Sequence, residues 1–195
     1  MPDRFEAAIA LIDDANALDP TTLTVGGEPR PKELVHAGML TAWVTRLRPN
    51  PSEAVLLAAR GQHIRRWEHP RSSFPEGRRG YLRWRTTLYD FHATTTAALL
   101  RESGYDVETI ARVTSLIRKE GLGTDPDAQV IEDGLCLVFL ETQLAELSNK
   151  TDRDKMLNIL RRTWRKMSPA ARDEALKLTF APAEHALIRE ALGEG

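Results

Sequence analysis

The sequence predicts an all-α protein. Apolar residues recur at spacings of three and four along almost the whole chain, and no alternation bounded by turn residues persists over any useful length. Helix-opening and helix-closing residues punctuate the chain at ordinary helix lengths. The expected architecture is one compact helical domain over residues 1–195, with seven to nine helices.

Taken in order, a first helix is predicted from Pro2 to Ala17, stopping before Asp19-Pro20. A Thr-, Gly- and Pro-rich loop, Thr21 to Pro31, follows. A second helix spans Lys32 to Arg48, ended by Pro49, and a third opens at Pro51-Ser52-Glu53 and runs to Trp67. Glu68 to Gly80 holds Pro70, Pro75, Gly77 and Gly80 and reads as the one long interior loop, a place where function often resides. Helices are then predicted from Tyr81 to Ser103, from Asp106 to near Gly121, and from Asp127 to Leu147. Thr151 or Asp152 caps the next, which ends near Met167; Ser168-Pro169 and Pro182-Ala183-Glu184 open the last two.

Composition narrows the function classes. Hydrophobic residues at 42% and charged residues at 28% are ordinary globular values. A net charge of -1 argues against coating nucleic acid or membrane through an overall field. The single cysteine, Cys136, excludes an internal disulfide and finger-type zinc sites, and sits in an apolar helix as a small core residue. Met1 to Asp14 lacks the basic start and apolar run of an export signal, and Leu135 to Leu140 is too short an apolar run to cross a bilayer. A cytoplasmic protein is expected.

Two groups of residues carry chemistry. The first is His36, His63 and His92, each on a different predicted helix, with Asp133 on a fourth. Imidazole and carboxylate together suit Fe, Mn, Zn, Co or Ni, and no thiolate narrows the choice. The alternative is that the histidines pack separately while Asp133 caps a helix or pairs with an arginine. His185 is read as having no site role. The second group is eight arginines between Arg60 and Arg85 with no lysine, opposed only by Glu68 and Glu76. Arginine's planar fork suits bidentate contact with phosphate or carboxylate. Arg65, Arg66, Trp67, His69, Arg71, Ser72 and Arg85 are the candidate substrate-binding residues, with Trp67 or Trp84 placed to stack on a base. The stretch Arg161 to Lys166 reads as a solvated helix face anchored by Trp164.

The order His36, Gln62-His63, His92, Asp133 resembles the ligand order of HD-domain metalloenzymes, over roughly residues 32–148; residues 152–193 form C-terminal helices packed on that core. Leu57 to His63 is similar to the approach to the His-Asp dyad, and Ile131 to Leu135 to the segment carrying the last aspartate. Gln62-His63 stands where those proteins have His-Asp, which implies a mononuclear site of His36, His63, His92 and Asp133. The resemblance implies an HD-like fold and a divalent metal ion that activates water toward a phosphoester. Glu132 and Glu68 are then the candidate general bases or outer partners of the ligating histidines.

Longer segments resemble a bacterial family catalogued as domain of unknown function 4202: Ala58 to Trp67, Pro70 to Ser73, Gly80 to Arg85, Phe91-His92-Ala93, and Glu132 to Leu140. That resemblance implies membership without an activity. The leading expectation is a metal-dependent phosphohydrolase acting on a nucleotide or other phosphorylated small molecule. A non-catalytic protein whose arginine loop holds an anionic ligand or RNA is the second, and an HD-like iron oxygenase the third. The oligomeric state stays open.

Overall fold

The computed structural model describes residues 3–193, so the expected start of the first helix at Pro2 lies outside the described residues. The all-α expectation holds: ten α-helices are described, one more than the upper end of the expected number, with one two-stranded hairpin.

Helix α1 (Arg4–Ala17) begins where the Asp3 carboxylate accepts from the N–H groups of Phe5 and Glu6. The segment expected as a loop is instead an antiparallel hairpin, β1 (Thr22–Val25) and β2 (Glu28–Pro31), with Thr22 opposite Pro31. Gly26 and Gly27 both take positive φ, as the tightest hairpin turns require. Because the hairpin is largely exposed, it has no buried face and leaves no alternation in the sequence. Pro29 and Pro31 are tolerated because a two-stranded ribbon has only edges.

Helices α2 (Lys32–Leu47) and α3 (Glu53–Gly61) follow, the latter capped by Ser52. The expected continuation of α3 to Trp67 fails. Gly61 is pressed against Thr96, where a Cβ would collide with the threonine side chain, and Arg65 takes a left-handed φ of 52°. Short 3-10 turns at Arg66–Glu68 and Arg71–Ser73 occupy the expected loop. Helix α4 (Gly77–Glu102) starts a turn earlier than expected. Then come α5 (Val107–Ile117), capped by Asp106, and α6 (Pro126–Thr142), capped by Asp125. The helix expected to reach Leu147 breaks at Gln143, and α7 (Leu144–Lys150) is separate. Helices α8 (Arg153–Lys166), α9 (Pro169–Ala175) and α10 (Pro182–Leu192) complete the chain, with Asp152 and Ser168 capping the first two.

One continuous core runs from α1 to α10, with Ile12, Val44, Leu57, Ile64, Leu100, Leu116 and Leu137 essentially removed from water. Helices α2 and α6 cross closely because Gly134 leaves no Cβ between them; one there would run into Leu40. Arg112 on α5 holds the start of α6 through Asp125 and Asp127, and Arg48 at the end of α2 joins the same Asp127. These contacts tie α2, α5 and α6 together, and α4 packs on α5 and α3, so that the four helices surround the end of α3, where the site lies. Among the described residues no helix is long and apolar enough to cross a membrane.

Candidate functional site: a cationic pocket

Ending α3 at Gly61 lets the chain turn, and the turn carries His63 and Arg66 to the mouth of a cavity of about 190 Å3. Arg66 from the turn, Arg85 from α4, Lys119 from the end of α5 and Lys166 from the end of α8 line it. His63 and His92 line it as well, and Tyr81, Trp84 and Tyr89 supply aromatic walls.

These groups form a chain of contacts. The Arg66 guanidinium lies 5.0 Å from the Trp84 ring centre, and the Trp84 and Tyr81 rings are 5.8 Å apart. Arg85 sits 5.8 Å from the Tyr81 ring and 5.4 Å from that of Tyr89, and donates to the Tyr89 hydroxyl. Lys119 lies 5.7 Å from the other contact of the series, the Tyr89 ring. Cation–π contacts of this kind hold the cations in place without neutralising them.

The charge balance is uneven. Among the described residues neither Arg66 nor Arg85 has an ion-pair partner, while Lys119 and Lys166 share one carboxylate, Glu132, with Lys166 3.1 Å from it. Glu132 is 3% exposed. Burial pushes its carboxyl upward, but the two lysines outweigh burial and hold it below its ordinary value. Burial also lowers the Arg66 pKa, against the pull of Glu33. Lys119 itself takes a left-handed φ of 62°, as does Arg65 beside Arg66, at about 1–2 kcal/mol for each such residue. Asn16 of α1 steadies the Arg65 turn by accepting from its backbone N–H.

The two histidines differ in exposure, the His63 side chain being 29% exposed and His92 buried. His92 is 1% exposed, and its Nδ1 lies 2.8 Å from the Ile64 carbonyl oxygen. Burial, reinforced by the Arg66 charge and opposed by the Ile64 bond, lowers its pKa to about 3. Burial and then the Arg66 charge hold His63 well below its ordinary value too. Both rings are therefore neutral near pH 7. His92 Nε2, Gln62 Oε1 and Glu33 Oε2 are buried without a hydrogen-bond partner, and each such group costs roughly 1–3 kcal/mol. Two of them, on His92 and Gln62, belong to residues that line the pocket, and call for an explanation.

The expected metal set does not assemble. His36 and His63 do approach one carboxylate, but it is Glu33, whose Oε2 lies 3.7 Å from Nδ1 of each. The His36 Nε2 faces the Thr142 hydroxyl at 3.3 Å. His92 turns its Nδ1 to a backbone carbonyl, with its ring centre 5.9 Å from that of His63. Asp133 is elsewhere engaged: its Oδ1 accepts from the Ser168 N–H at 2.8 Å and from Gln129 Nε2 at 2.9 Å. Among the described residues no group of three or more His, Cys, Asp or Glu side chains has a geometry that holds a metal ion. The residues present do not fit the expected ion.

The other expected residues divide similarly. Arg66 and Arg85 line the pocket; Arg65, Trp67, His69, Arg71 and Ser72 do not. Arg65 pairs with Glu68, and Glu68 does not line the pocket. His69 packs edge-on against Phe91 at 4.4 Å, and its carbonyl accepts from Trp84 Nε1. Arg71 donates to the Phe74 carbonyl within its own turn, and Ser72 is exposed in that turn. Glu132 is the counter-charge of the two lysines. Cys136 is buried as expected, and burial pushes its thiol up to about 12, which leaves it inert. Sequence reasoning missed Glu33 and Lys119, charged residues near helix ends, the commonest place for them, and the reading of Arg161 to Lys166 as a solvated helix face overlooked that Lys166 lines the pocket.

No curated protein matches the chain, and no solved structure does. One family model matches residues 6–188, nearly the whole length, and on that match the chain belongs to the family described as Domain of unknown function (DUF4202).

Proposed function

We propose that this protein binds a phosphorylated small molecule of the nucleotide class in the cationic pocket, through arginine and lysine rather than through a metal ion. The observation that carries the reading is the charge balance: four cationic groups face one carboxylate, Glu132. A phosphomonoester dianion supplies the missing negative charge, and the forks of Arg66 and Arg85 offer it charge-assisted, bidentate contacts. The exposed ring of Tyr81 at the rim, 43% accessible, gives a nucleobase a face to stack on. His63, kept neutral, adds a polar contact without adding charge.

The test is calorimetric titration with inorganic phosphate and with adenosine monophosphate at fixed ionic strength. Arg66→Ala and Arg85→Ala are each expected to weaken binding about 10- to 100-fold, the worth of one charged hydrogen-bonding partner. Arg30→Ala on the exposed hairpin should change nothing. Equal loss in all three variants would mean diffuse attraction and sink the pocket. Elemental analysis of untagged protein tests the metal-dependent expectation: stoichiometric metal that disappears in His36→Ala would replace this reading.

A further inference from the structure

His92 has a feature that binding alone does not use. The Ile64 carbonyl can only accept a hydrogen bond, so the proton of the neutral ring resides on Nδ1. Nε2 is then a bare lone pair, buried and met by no donor of the protein, on a residue that lines the pocket together with Arg66, Arg85, Lys119 and Lys166. A lone pair beside bound phosphate oxygens is repelled by them, whereas toward the phosphorus atom it is a nucleophile.

Resting on the reading that the pocket holds a phosphoryl group, we propose that His92 Nε2 is a catalytic residue that accepts that group covalently and passes it to water. The Nε2 pair forms a bond to phosphorus as the bond from phosphorus to the leaving group breaks, the leaving group keeping the bonding pair. Nδ1–H stays on the Ile64 carbonyl and shares the positive charge that the ring acquires. Arg66 and Arg85 neutralise the phosphoryl oxygens in flight, the task that cationic clamps perform in phosphoryl transfer. Water then attacks phosphorus, the Nε2–P pair returns to the ring, and inorganic phosphate leaves as one water proton passes to solvent. The burial that makes the imidazole weakly basic also makes it a ready leaving group in this second step.

Phosphoramidate is the probe, because its nitrogen already carries three protons and departs as ammonia with no acid required. The full-length protein is incubated with it, quenched in alkali, and analysed by intact mass, phosphorus NMR and alkaline peptide mapping. The expected result is a single phosphoryl adduct, stable in alkali and lost in acid, mapped to His92 and absent from His92→Asn. Asparagine keeps a donor for the Ile64 carbonyl, so the variant should keep the parent's circular dichroism spectrum, while Leu160→Ala, outside the pocket, should form the adduct as the parent does. Phosphate binding without an adduct, or an adduct mapped to His63, overturns the covalent role and leaves the binding pocket standing. No phosphate binding by the parent protein overturns both.

Discussion

Two cavities of this protein make an instructive pair. The larger, about 360 Å3, lies among α8, α9 and α10 and is walled mostly by Leu140, Leu160, Trp164, Leu178, Phe180 and Ile188. The smaller, about 190 Å3, holds four cations and two buried or half-buried histidines. Among the described residues, no buried side-chain atom lacking a partner belongs to a residue lining the larger cavity, whereas His92 Nε2 and Gln62 Oε1 belong to the smaller. Volume measures how well helices pack; unmet charge and unmet lone pairs measure what a site is prepared to hold.

The contrast breaks most sharply at Glu132. Glu132→Gln strips the two lysines of their shared carboxylate and should cost about 3–5 kcal/mol of stability, as breaking a buried ion pair does. Saturating phosphate should restore more stability to this variant than to the parent, measured as a rise in denaturation midpoint; an equal rise in both would mean the lysines do not face the ligand. In the larger cavity, Leu160→Ala should cost about 2–5 kcal/mol by leaving a void, while phosphate affinity stays unchanged. A fall in affinity there would show that the two regions are coupled.

Acid sharpens the same contrast. The unfolded chain takes up a proton near pH 6.5 that folded His92 refuses until about pH 3, so between those values the unfolded state binds more protons and stability falls as pH falls. His92 contributes up to about 1.4 kcal/mol per pH unit over that window, and His63 steepens the slope in the same direction. Urea midpoints at pH 7.5 and 5.5 should differ less in His92→Asn than in the parent; an unchanged difference would mean that the ring titrates alike in the folded and the unfolded chain. The smallest effect is expected at Asp133→Asn, about 1 kcal/mol, with a few-fold loss of phosphate affinity through Lys166.

The helices were legible because their ends are written locally. Asp106, Asp152 and Ser168 cap where they were expected to, since a cap needs only the next three residues. The breaks at Gly61 and Gln143 were not legible, for Gly61 yields to Thr96 on another helix and nothing adjacent announces it. The site divides the same way. Arg66 and Arg85 stood out as members of a dense arginine run, and His63 and His92 as histidines on successive helices. Asp133 was misplaced because its fate depends on the Ser168 N–H, distant in sequence; Lys119 was invisible because cations near helix ends are commonplace, and Lys166 was hidden in a stretch that reads as a solvated helix face.

The corner after α8 gives Asp133 its meaning. Its carboxylate grips Ser168, and Gln129, which it also accepts from, donates to the carbonyl of Lys166 itself at 2.8 Å. A residue of α6 thereby sets where the last side chain of α8 points. The C-terminal helices are thus no detachable appendix: a fragment ending before α8 would retain the arginines and histidines, yet present Glu132 to a single lysine and carry a pocket with less unmet positive charge.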